Sequence, residues 1–116
     1  MKTIKKGDTL TLSGLSEMAE RMFGGLVKAV VDVKREIMVV DAELHSDEEN
    51  ELLQSGSKQA DVWGINLYPE FFGTDDFIEF DSVINIRPVQ GNRSRDVQDQ
   101  RLRDEIVRIA GDLVKA

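Results

Sequence analysis

Between Asp76 and Arg95 the chain reads DFIEFDSVINIRPVQGNRSR, and no other stretch restricts the fold as much. Taken two at a time, its residues sort into Ile78, Phe80, Ile84 and Ile86 on one side and Glu79, Asp81, Asn85 and Arg87 on the other. A repeat of two is the pattern of a strand with one face buried and one face wet. Pro88 has no N–H to give to a ladder, so the predicted strand runs over 76–88 and releases a polar loop from Gln90 to Arg95. Any site is then expected on the polar face of this strand and in the arginine loop behind it.

The remaining segments supply partners. Thr3-Ile4 and Thr9 to Leu12 are short β-prone pieces split by a Gly7-Asp8 turn. Leu15, Met18, Ala19, Met22 and Phe23 follow helical spacing, with Ser13 as the predicted N-cap and Gly24-Gly25 as the stop. LVKAVVDVKREIMVVDAEL reads as a valine-rich hairpin turning at Lys34-Arg35, which sets Lys28 opposite Asp41; a longer loop starting at Asp32 is the alternative. Ser46-Asp47-Glu48-Glu49 has the form of a capping box for a short helix that ends near Gly56. Trp63 to Tyr68 alternates again and is closed by Pro69, with Trp63, Ile65 and Leu67 inward. The last helix is capped by Asp99 and buries Leu102, Ile106, Ile109, Ala110 and Leu113. The prediction is an α+β fold, ordered α-β-β-α-β-β-α, with a four-stranded antiparallel sheet built from two hairpins and helices on one face.

A chain of 116 residues fits one domain, 1–116, large enough to fold without a disulfide or metal staple. With no cysteine and a single histidine, thiol nucleophiles, thiolate zinc sites, iron–sulfur clusters and paired-histidine mechanisms are excluded within one subunit. The net charge of −7 is uneven: residues 36–85 carry one Lys/Arg against thirteen Asp/Glu. So acidic a middle disfavours nucleic acid, whose phosphates require a basic stripe. No apolar run is long enough to span a bilayer and no signal-peptide pattern opens the chain, so no membrane association and a cytoplasmic location are expected.

The words GLVKAVVD, EIMVVDAELH, GSKQADVWGINLYP and FIEFDSVINIRPVQGNRSRDV resemble a family of short prokaryotic proteins catalogued only as a domain of unknown function. The resemblance covers nearly the whole chain after Met18, and the Phe71-Phe72-Gly73 loop departs from its pattern. It implies a small stand-alone protein and brings no activity, cofactor or ligand with it.

Two candidate sites follow from the residues. The first is an anion site of Arg87, Gly91, Asn92, Arg93 and Arg95, where guanidinium forks match phosphate or carboxylate oxygens and glycine lets backbone N–H groups approach. The bland reading is a turn whose arginines pair with the acids of the middle third. The second is a polar sheet face of Asp41, Glu43, His45, Asn66, Glu79, Asp81 and Asn85, whose acids and imidazole would suit Mg²⁺ or Mn²⁺ if they converged. There the bland reading is a solvated surface. The Phe71-Phe72 pair is either a protein contact or a loop with one ring tucked beneath it. No catalytic constellation stands out and no cofactor or resident metal is expected. The leading expectation is a non-enzymatic interaction or ligand-binding module, with a second copy of the chain or an anionic small molecule as partner. The alternative is a phosphate-ligand binder or a metal- or arginine-assisted phosphoester hydrolase, with Arg87, Arg93 and Arg95 on the anion and Asp81, Glu79 or His45 as ligand or base.

Overall fold

The computed structural model describes residues 1–116. In chain order its strands and α-helices are β1 (Lys2–Ile4), β2 (Leu10–Thr11), α1 (Leu12–Met22), β3 (Val27–Asp32), β4 (Ile37–Val40), α2 (His45–Gln54), β5 (Val62–Leu67), β6 (Ile78–Glu79), α3 (Gln100–Leu113) and β7 (Val114–Lys115). An α+β protein with an antiparallel sheet is what the pattern predicted, but the sheet has five strands, ordered β1-β4-β3-β5-β6. The fifth is β1, which pairs antiparallel with β4 and fills the edge that the two hairpins leave open. A separate two-residue parallel pair joins β2 to β7.

Both predicted hairpins form. In the first, Ala29 faces Val40 and Val31 faces Met38, the register set by valine matching, and the longer loop from Asp32 replaces the two-residue turn. The Asp32 carboxylate holds that loop, accepting from the N–H groups of Lys34 and Arg35 at 2.8 and 2.9 Å and from the Ser57 hydroxyl at 2.5 Å. Asp41 lies beyond β4 with a positive φ and pairs with Arg21 at 3.6 Å instead of with Lys28.

Helices cover both faces of the sheet, not one. β4 and β5 both run antiparallel to β3, so the chain between them crosses the sheet, and α2 does so on the face opposite α1 and α3. Ala29, Val31, Met38, Val40, Trp63, Ile65 and Leu67 join Leu15, Met18, Ile106, Ile109 and Leu113 in the larger core. Val30, Ile37, Val39 and Val62 pack with Leu52 of α2 in a smaller one. The central strands are accordingly buried on both faces, which is what continuous runs such as AVV and IMVV require. Among the helix starts, α3 begins as predicted, with Asp99 accepting from Arg101 N–H at 2.9 Å. Thr11 rather than Ser13 caps α1, and α2 starts at His45 with Leu44 at its N-cap, two residues ahead of Ser46.

The largest departure falls on 76–88, where only Ile78–Glu79 is strand and two 3-10 turns, Val83–Asn85 and Pro88–Gln90, follow. The cause lies in β5. Gly64 presents no side chain to this segment, and a Cβ there would stand 2.6 Å from the Ser82 Cβ, so the chain lies flat against β5 at this point. Asn85 then turns inward, and its amide takes the place of a strand: Oδ1 accepts from Gly64 N–H at 2.8 Å and Nδ2 donates to Gly64 O at 2.9 Å. Burial follows the turns. Ile78 and Phe80 pack on the larger core, Ile84 reaches the smaller one, and Ile86 is exposed.

Candidate functional site

Polar groups converge where β6 leaves the sheet. Asn66 on β5 donates through Nδ2 to Glu79 Oε1 at 2.9 Å and more weakly to the Asp81 carbonyl at 3.4 Å, and the Tyr68 hydroxyl donates to the same Glu79 oxygen at 2.9 Å. Asp81 accepts from Arg95 Nε at 2.5 Å. Desolvation, reinforced by the Glu79 carboxylate, pushes the Tyr68 phenol above its ordinary pKa, which keeps it a neutral donor. The structure therefore joins Asn66, Glu79, Asp81 and Arg95 of the predicted residues and adds Tyr68 from the end of the Trp63 to Tyr68 alternation.

Tyr68, Glu79, Asp81 and Arg95 line an open groove of about 730 Å³, with Asn66 buried behind them. Its floor is Tyr68, Phe71, Ile78 and Phe80, and its rim carries Asp75, Asp76, Glu79, Asp81 and Asp96 with Arg95 and Arg103. Both arginines are engaged: Arg95 with Asp81, and Arg103 with Asp96 at 2.5 Å while its guanidinium lies over the Phe80 ring at 4.2 Å. Asp75, Asp76 and Glu79 face no cation. Of the Phe71-Phe72 pair, Phe72 tucks in, edge-on to Phe77 with ring centres 5.1 Å apart, and Phe71 stays exposed beside Tyr68. A second groove of about 720 Å³ continues past Ile78 and Phe80 to α3, between Phe72, Phe77 and Val107.

The predicted anion-site residues hold the loop together. Arg87 lies over the Trp63 ring at 4.4 Å, donates to the carbonyls of Val62, Ile84 and Gln59, and pairs with Glu49 at 3.5 Å. Gly91, at positive φ, closes the turn by donating its N–H to Pro88 O. Asn92 is buried, donating to the carbonyls of Asn85, Ser94 and Asp96 and accepting from Gln98 N–H. The Arg93 N–H goes to Gln98 Oε1 at 2.8 Å, and only the Arg93 side chain reaches solvent without a partner. The backbone donors that would cradle an anion are thus already engaged inside the loop.

The carboxylates and imidazole of the polar sheet face do not converge: no three His, Asp or Glu side chains are grouped so as to hold a metal ion. Glu43 is exposed, and Asp41 is held by Arg21. His45 is buried under α2, its Nε2–H donating to Ile65 O at 2.8 Å, and desolvation lowers its pKa so that the ring is neutral. One turn along, Glu48 is fully buried, with Oε2 accepting from Ala42 N–H at 3.1 Å and Oε1 without a partner. Burial raises its pKa to about 9, so it is a neutral acid at pH 7. The sequence pattern placed Glu48 only among the acids of a capping box at the helix start. The missed signal is the 45, 48, 52 spacing, which sets Glu48 on the stripe of α2 that also carries buried Leu52.

Fold and groove together define a small α+β protein with one open, acid-rimmed cleft at the edge of its sheet, and the chain belongs to a family of proteins of unknown function. That family is DUF5674, whose model matches residues 4–113. No curated protein and no solved structure matches the chain. No helix is long and apolar enough to cross a membrane.

Proposed function

We propose that this protein is a binding module whose cleft receives a cationic ligand. The observation that carries the reading is the unbalanced rim: Asp75, Asp76 and Glu79 have no cationic partner and stand over an aromatic and aliphatic floor. Carboxylates around a partly desolvated cleft raise the local concentration of a positive group, and Tyr68 and Phe71 offer ring faces to its alkyl stem. An anionic ligand has less support, because Arg87 and Arg95 are engaged by groups of the protein itself. Amide NMR titrations with spermidine and with inorganic phosphate test the choice. Spermidine is expected to shift Tyr68, Phe71 and Glu79, and the Asp75→Asn/Asp76→Asn variant is expected to bind it more weakly. Phosphate shifting the amides around Arg93, with spermidine shifting none, would overturn the reading.

A further inference from the structure

We infer that the occupant of the cleft is an extended segment of a partner protein, added as a sixth strand along the outer edge of β6, with basic and apolar residues in alternation. The inference rests on the cationic-ligand reading and names the ligand's class.

The edge is open in a specific way. Residues 66 and 79 face each other across β5 and β6, and Tyr68 N–H donates to Phe77 O at 2.8 Å, so the peptide groups of residues 77 and 79 point at β5. Backbone groups alternate along a strand, so those of Ile78 and Phe80 point away from the sheet. Phe80 N–H and C=O make no hydrogen bond within the protein, and β6 has no neighbour on that side. A peptide laid there would satisfy these groups, the usual mode of strand addition.

The walls dictate the side chains. One face of an added strand looks into the cleft rimmed by Asp75, Asp76 and Glu79, and the other into the groove between Phe72, Phe77 and Val107. Successive residues of a strand point to opposite faces, so alternate positions meet the acidic cleft and a more apolar groove in which Phe72, Phe77 and Val107 stand beside Arg103 and Asp104. The opposite edge of the sheet, β1, carries Lys2 with Lys5 and Lys6 close behind, and lysine is a common guard against strand addition. On β6 the only charge is an acid, which repels acidic partners and attracts basic ones.

The test uses the full chain and the labelled hexapeptide acetyl-Lys-Val-Lys-Val-Lys-Val-amide, followed by fluorescence anisotropy. Two derivatives carry N-methyl groups, one on all three lysines and one on all three valines, and each removes the donors from a single edge. The expected result is that one derivative binds about tenfold more weakly, the loss of one or two backbone hydrogen bonds, while the other binds as the parent does. If both bind like the parent while Asp75→Asn/Asp76→Asn weakens all three, strand addition is overturned and the cationic cleft stands. If neither the parent peptide nor spermidine binds, both readings fall together. If sedimentation shows self-association that Lys2→Glu abolishes, the edge belongs to a second copy of the chain and the inference is overturned.

Discussion

Glu48→Gln is expected to stabilise the protein, and to do so more strongly as pH rises. In the folded chain the carboxyl is fully buried and keeps its proton up to about pH 9, whereas its ordinary value is 4.5. Between those values the folded state holds one more proton than the unfolded state, so this group's contribution to stability falls as pH increases, by about 1.4 kcal/mol per unit. At pH 7 the accumulated penalty is at most about 3 kcal/mol, the work of keeping an acid protonated two to three units above its ordinary pKa. Glutamine has the same shape without the titration. Its carbonyl can accept from Ala42 N–H as Glu48 Oε2 does, and its NH₂ occupies the position of the unpartnered Oε1, where the protonated acid also leaves a polar group unsatisfied.

Urea denaturation of both proteins at half-unit intervals from pH 5 to 8.5 measures the effect. The quantity to plot is the difference between them, because His45 titrates in both. With its folded pKa lowered, His45 makes stability fall as pH drops below about 6.5, and this opposes the Glu48 slope in the native protein alone. The difference is expected to be under about 1 kcal/mol at pH 5 and about 3 kcal/mol in favour of the variant at pH 7, roughly 10 °C in melting temperature for a chain of this size. A variant offset from the native protein by the same amount at every pH would refute the reasoning, since packing alone gives a constant difference.

Further substitutions at Asn85, Gly64, Ser82 and Arg87 probe the seal along β5. Asn85→Ala removes the amide that pairs with Gly64 N–H and C=O and leaves both buried without partners; a loss of about 3 kcal/mol is expected by urea denaturation, and a loss under 1 would refute the role. Gly64→Ala drives a methyl to 2.6 Å from the Ser82 Cβ and is expected to destabilise by about 2 kcal/mol, and Ser82→Gly in the same chain should restore more than half of that, a coupling that a double-mutant cycle reads directly. Arg87→Met keeps the stem but abandons three carbonyls and leaves Glu49 without its cation, so about 2 kcal/mol is expected to be lost, with a shift in the emission of Trp63, the sole tryptophan. Arg87→Lys is not expected to rescue it, because an ammonium lacks the planar fork that reaches several carbonyls at once.

Fold class and first-hairpin register were legible because they depend on short-range pattern. Valine matching across Lys34-Arg35 fixes which residues face one another, whatever loop closes the turn. Which face a helix covers was less legible, since each strand was read for a single buried face. The runs at 29–31 and 37–40 contain no polar residue, so both faces of those strands demand cover, and α2 is the segment placed to supply it. Taking that demand seriously would have turned the inward stripe of α2, including His45 and Glu48, toward the sheet.

The misreading of 80–88 has a different origin, and it bears on the site. In that stretch the buried residues are Ser82 and Asn85, with Arg87 half-buried, while Val83 and Ile86 face water. At Asn85 and Ile86 this inverts what hydrophobic alternation predicts, while Phe80 and Ile84 still pack inward. The inversion follows from the β5 edge, whose peptide groups at Val62 and Gly64 need donors and acceptors that an aliphatic segment cannot give. Asn85 offers both kinds in one planar group, the geometry of the peptide it replaces, and Arg87 offers the donors for the carbonyl beyond it. Side chains thus finish the ladder that β6 abandons after Glu79. The turn that replaces the strand brings Asp81 beside Arg95, where Ser82 N–H donates to Arg95 O at 3.1 Å and the Asp81–Arg95 ion pair closes that end of the cleft.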